Sequence, residues 1–171
     1  DLYFSGEING TVNDITAENL SFQYGDDTQL QTSFQITGLP EIKDTYFDFQ
    51  IDNLTTTQSD ISSLKNYETN EQLIPLPGIL TRFGIVKYNA RITGFLNSFS
   101  VNGELFTNLG RVYTDVVVNN DTENNIININ GLIEGENLEA GTLINNQEQF
   151  GELTLKSNID FSLFDDNSFS G

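Results

Sequence analysis

The chain has 171 residues, with 25 acidic against 7 basic side chains and a formal net charge of −18. Such an acidic surface repels phosphate backbones and offers no polybasic patch, so nucleic-acid binding and electrostatic attachment to an anionic membrane are excluded. Cys and His are both absent, which excludes disulfides, Cys/His metal centres and Ser-His-Asp or Cys-His catalysis.

The remaining composition favours strands. Apolar residues make up 37% of the chain, including 13 Phe and 6 Tyr, enough to bury a sizeable surface, so disorder is not expected. Ile, Val, Phe, Tyr and Thr recur along the whole length, as strands require. Met is absent, so the chain reads as a processed or excised piece of a longer protein. No run approaches the ~20 apolar residues that cross a bilayer, which puts any membrane anchor outside these residues.

Taken in order, the first expected strand is Leu2 to Val12. Leu20, Phe22 and Tyr24 then alternate with Ser21 and Gln23, the period of a strand with one apolar face. Leu30, Phe34 and Ile36 share a parity, as do Phe47, Phe49 and Ile51. Thr57 to Lys65 breaks the pattern: Ser59 and Asp60 followed by Ile61 and Leu64 predict one or two helical turns near 58–65. Pro75 and Pro77 remove ladder donors, so Ile74 to Gly78 is expected as an extended loop covering a sheet end or edge.

Alternation then resumes. Val86, Tyr88, Ala90 and Ile92 face one way, with Lys87, Asn89, Arg91 and Thr93 on the other side. Phe99, Val101 and Leu105 follow, then Val112, Val116 and Val118, then Ile127, Ile129 and Ile133. The pattern lapses from Leu138 to Gln149 around Gly141, predicting a loop with a helical turn. Leu153, Leu155, Ile159 and Phe161 close the series. Polar breaks at Gly25-Asp26-Asp27, Asn97-Ser98, Asn119-Asn120-Asp121 and Asn124-Asn125 suit strand connections. Strands this close in sequence predict an antiparallel meander, since parallel pairing needs crossovers of a dozen or more residues. A one-residue slip would put a strand's apolar set in water, so register should be well specified.

An alternating sheet has one dry face that something must cover. The expected helix is too short to roof about ten strands. Two solutions remain: the sheet packs against itself as a sandwich or barrel, or it curls into a trough that holds a lipid. Strands of about seven to ten residues span roughly 23–33 Å at ~3.3 Å per residue. That is long enough to shelter acyl chains, each methylene of which gains ~0.8 kcal/mol on leaving water.

Within residues 73 to 118, Pro75-Leu76-Pro77, Phe83-Gly84, Thr93 to Phe99 and Gly103 to Gly110 stand in an order that resembles the C-terminal half of TamB-like translocation and assembly module proteins of the Bacteroidetes type, related to AsmA-like bridge lipid-transfer proteins. Glu18 to Gly25, Ile36 to Pro40, Gly131 and Phe150 to Leu155 extend the resemblance over most of the chain. The resemblance implies an all-β, largely antiparallel, extended curled sheet forming an open apolar groove, often called a β-taco. Residues 1–171 would be one segment of a longer, inner-membrane-anchored periplasmic protein. It implies phospholipid acyl chains as cargo moving toward the outer membrane. In some members it also implies help in outer-membrane protein assembly through a barrel partner. It carries over no catalytic residue, metal or cofactor, so no enzyme is expected.

The lipid-facing set would be the alternating positions: Leu20, Phe22, Tyr24, Leu30, Phe34, Ile36, Phe47, Phe49, Ile51, Val86, Tyr88, Ile92, Phe99, Val101, Leu105, Val112, Val116, Val118, Ile127, Ile129, Ile133, Leu153, Leu155, Ile159 and Phe161. The competing expectation is a structural or adhesive β-sandwich or solenoid module of the cell envelope, with a closed core. Other constellations read as bland. Asp26-Asp27 and Asp165-Asp166 lack the ligand spacing of a Ca²⁺ loop and read as solvated turns. No one pair among the acids stands out for glycoside hydrolysis. Gly131 to Gly135 has no lysine or following helix for phosphate. Tyr3, Tyr46, Tyr67 and Tyr113 read as packing residues rather than sugar platforms.

Overall fold

Period-two patterning builds one sheet of successive hairpins. The computed structural model describes residues 2–64, 82–122, 124–143, 151–164 and 169–170. Within them, β1 (Leu2–Thr11), β2 (Asp14–Tyr24), β3 (Thr28–Thr37), β4 (Tyr46–Thr57), β5 (Ile85–Phe95), β6 (Ser98–Thr107), β7 (Gly110–Asp121), β8 (Ile126–Glu139), β9 (Glu152–Phe164) and β10 (Phe169–Ser170) lie side by side in sequence order. Every neighbouring pair is antiparallel. The result is an all-β fold, one open curled sheet with two short helices. Each strand packs on its chain neighbours, and among the described residues no second sheet lies across it.

Helix α1 (Gln58–Ser63) falls where the Ser59-Asp60 start predicts it, and Thr57 caps it by accepting the Asp60 N–H. The Pro75-Pro77 loop and Asp165-Asp166 lie outside the described residues. Two strands run further than their turn signals suggest. β7 continues through Asn119, Asn120 and Asp121, because each finds a partner in β8. β8 continues through Leu138 to Glu139 before α2 (Ala140–Leu143), although alternation lapses there; residues 144–149 of that expected loop are not among those described.

The lapse has a physical cause that recurs. Glu18-Asn19-Leu20, Asp52-Asn53-Leu54 and Glu136-Asn137-Leu138 each sit at a register shift, between Ala17 and Leu20, Ile51 and Leu54, and Gly135 and Leu138. Each is a β-bulge, in which two residues oppose one on the next strand. The acid and the Asn both stay on the wet side, and the Leu returns to the dry side. Asn19 and Asn137 take positive φ of 50°, a conformation Asn tolerates better than most side chains. Bulges bend a strand and increase its twist. Three of them on β2, β4 and β8 favour curl over a flat ribbon.

Candidate apolar groove

Residues opposite one another in an antiparallel pair share a face, so register alone assigns the two faces. Ile8, Ala17, Phe34, Phe49, Ile92, Val101, Val116, Gly131 and Ile159 form one row across the sheet from β1 to β9. The next row holds Ile15, Ile36, Phe47, Gly94, Phe99, Val118, Ile129 and Phe161, with the Ile127–Leu163 pair beyond it. On the other side come Leu20, Thr32, Ile51, Ala90, Gly103, Thr114 and Ile133. Then follow Phe4, Phe22, Leu30, Leu54, Tyr88, Leu105, Val112 and Leu155. Tyr24, Val86 and Leu153 stand at the far end. All the alternating positions taken from the sequence therefore lie on one face.

Within this face the two middle rows carry small residues at Ala17, Ala90, Gly103, Thr114 and Gly131. Ala90 is 4% exposed, and a Cβ added to its partner Gly103 would come within 2.7 Å of the Ala90 Cβ. Val116 is 8% exposed against Gly131, whose φ of 141° and closeness to the Asp115 carbonyl leave no room for a side chain. Ala17 and Leu20 are buried on the same two rows. These buried and small positions mark the crease of the curl. Phe34 and Phe49 (ring centroids 5.0 Å apart), Phe47 and Phe99 (5.9 Å) build one wall, in the tilted geometry aromatic pairs prefer. Leu30, Leu54, Tyr88 and Leu105 build the other. Burial pushes the Tyr88 hydroxyl above its ordinary pKa, against an opposing hydrogen bond with Thr114.

The opposite face is wet. Arg91 grips Asp48 with two hydrogen bonds, 3.0 Å from Nε and 2.6 Å from Nη2, and this hydrogen bond holds the Asp48 carboxyl below its ordinary value against a smaller effect of burial. Lys156 pairs with Glu134 at 2.5 Å, and Arg111 pairs with Glu136. Asn102 donates to the Tyr113 hydroxyl at 2.7 Å. A shallow depression of about 280 Å³ on this face is lined by Thr16, Gln35, Asp48, Gln50 and Arg91 among others. Ala17 and Phe34 of the apolar rows line it as well, so it is not a purely polar site.

Helix α1 sits at the end of β4, against the turn between β2 and β3. Asp60, 8% exposed, accepts hydrogen bonds from the Thr28 hydroxyl (2.8 Å) and the backbone N–H groups of Asp27 (3.0 Å) and Asp26 (3.5 Å). Tyr24 and Ser63 share a hydroxyl hydrogen bond of 2.9 Å above it. Desolvation raises the Asp60 carboxyl, but the hydrogen bonds together outweigh it and hold the group below its ordinary value. The Asp26-Asp27 turn thus serves a structural carboxylate. Among the described residues, no group of acids is placed to hold a metal ion, and no helix is long and apolar enough to cross a membrane.

Strict alternation overlooks Phe4, Ile8, Leu54, Leu138 and Leu163, which complete the rows. For Leu54 and Leu138 the signal was present as the repeated acid-Asn-Leu triplet. No protein-family model, curated protein or solved structure matches this chain.

Proposed function

We propose that this chain is a segment of a lipid conduit, sheltering phospholipid acyl chains in its apolar groove as they move along the rows, across the strands. The observation that carries the reading is the face itself. Phe, Leu, Ile and Val side chains line it from β1 to β9, and among the described residues no second layer covers it. An open apolar surface of this extent calls for an occupant. Acyl chains supply one at ~0.8 kcal/mol per methylene removed from water. The resemblance of residues 73 to 118 to TamB-like proteins supports an envelope setting, with an inner-membrane anchor, a periplasmic location and an outer-membrane barrel partner as further parts of the proposal. The groove offers packing surface rather than reactive groups, so we assign it no enzymatic role.

Photo-crosslinking side chains test the reading directly. Placed at Ile92 or Val101 in cells, they should capture phospholipid; placed at the adjacent Arg91 or Asn102, they should not. Equal capture at both parities, or none at either, would remove the lipid role. Native mass spectrometry after purification without detergent should show co-purified phospholipid in a stoichiometric peak.

A further inference from the structure

Strands run across the groove, so their ends form its two margins, and the turns along these margins differ. On one margin lie the Asp26-Asp27 turn, α1 and the β6–β7 turn, whose Leu109 is only 6% exposed. On the other, the β3–β4 loop and the β5–β6 turn hold apolar residues outward. Ile42, in one 3₁₀ turn (Ile42–Asp44), is 62% exposed, and Leu96, at the tip of the β5–β6 hairpin, is 54% exposed. Beside them, on the wet side, Tyr46 of β4 pairs with Phe95 of β5. Their ring centroids lie 5.4 Å apart, edge to face, and the residues are 39% and 42% exposed. Each of β3 to β6 pairs with a neighbour on both sides, so this exposure does not come from an edge of the sheet.

We propose that this corner docks on a phospholipid bilayer, with Leu96 and Ile42 entering between headgroups and the Tyr46–Phe95 pair lying at headgroup level. The pattern fits a bilayer better than a protein partner. The core of a protein interface is contiguous and poor in charge, whereas here Glu41, Lys43, Asp44 and Asn97 stand among the apolar residues of the same two turns. A bilayer takes such side chains singly, and Tyr, with its apolar ring and polar tip, settles at its interface. Charge points the same way. Residues 82–103, which include the turn that carries Leu96, contain Arg82, Lys87 and Arg91 and no acid, in a chain of net charge −18. This hairpin can approach headgroup phosphates that repel most of the molecule. Attachment comes from apolar insertion rather than from a basic patch, so zwitterionic lipid is the preferred surface.

The absence of tryptophan makes the test clean. Leu96→Trp fluorescence should shift to the blue when phosphatidylcholine vesicles are added, and lipids brominated near the headgroup end of the acyl chain should quench it. Asp26→Trp, on the opposite margin, should show neither effect. No shift for Leu96→Trp, or an equal shift for both, would overturn the proposal. The unaltered chain should co-sediment with the same vesicles; failure to do so, as for a corner that docks on protein instead, would also overturn it. Leu96→Asp, at an exposed turn position, should weaken that binding about tenfold with an unchanged far-ultraviolet spectrum. Binding that survives the substitution would place it on another surface, the groove included, and sink the docking corner. Adding phosphatidylglycerol at low salt should weaken binding, whereas tighter binding would refute its apolar basis. Residue 96 lies on a turn outside the rows of the groove, so docking and the conduit reading can fail separately: phospholipid capture at Ile92 or Val101 does not depend on it.

Discussion

Asp60 is a carboxylate taken largely out of water and held there by donors from the Asp26-Asp27-Thr28 turn. Hydrogen bonds to a charged group contribute about 1.5–3 kcal/mol, so Asp60→Asn should lower stability by that order at neutral pH, read by urea unfolding. The folded-state pKa is depressed below the ordinary 3.8, so the contribution is present above that value and lost as pH falls through the folded one. The gap between wild type and variant should therefore close as acid is added below about pH 4. Gly131 tests the crease. Its positive φ and a Cβ position 2.2 Å from the Asp115 carbonyl predict that Gly131→Ala costs about 1–3 kcal/mol. Gly151→Ala, with nothing within 4 Å, should fall within about 0.5 kcal/mol of wild type.

At the level of the strand, apolar residues at every second position specify which side is dry, and the turns specify antiparallel order. Phe47, Phe49 and Ile51 could be read straight from the sequence. Leu54 could not, because strict counting puts it on the wet side. The bulge at Asp52-Asn53 absorbs one residue and restores the parity. Deleting Asn53 should therefore leave Phe49, Ile51 and Leu54 on one face, and the variant should still unfold cooperatively. Deleting Asn89 from β5, where its pairing with β6 is regular, turns half of the strand's apolar set outward. That variant should lose cooperative unfolding by circular dichroism. The bulge was harder to read than the strand because its cause is tertiary: an extra residue is tolerated where the sheet curls.

Across the whole molecule, a net charge of −18 sits on a sheet whose ion pairs, among the described residues, are few and largely exposed. Exposed pairs contribute little, whereas self-repulsion opposes the compact state. Added salt screens both, and with repulsion dominant the melting temperature should rise with ionic strength; a fall would mean that the ion pairs on the wet face matter more than their exposure suggests. The same acidity keeps a chain with a long apolar face in solution. The apolar face and the acidic surface thus belong to one sheet, a dry side that the proposed conduit reading fills with a guest and a wet side that resists self-aggregation.

Local chemistry alone determined the all-β class, the antiparallel order, the place of α1 and the parity of the apolar face, because each depends on side-chain period and turn residues within a few positions. Whether that face would close on a second sheet or remain an open curl was decided only in three dimensions. Both arrangements satisfy the same alternation, and the choice between them rests on where bulges bend the strands and where Ala90, Gly103 and Gly131 let the crease tighten.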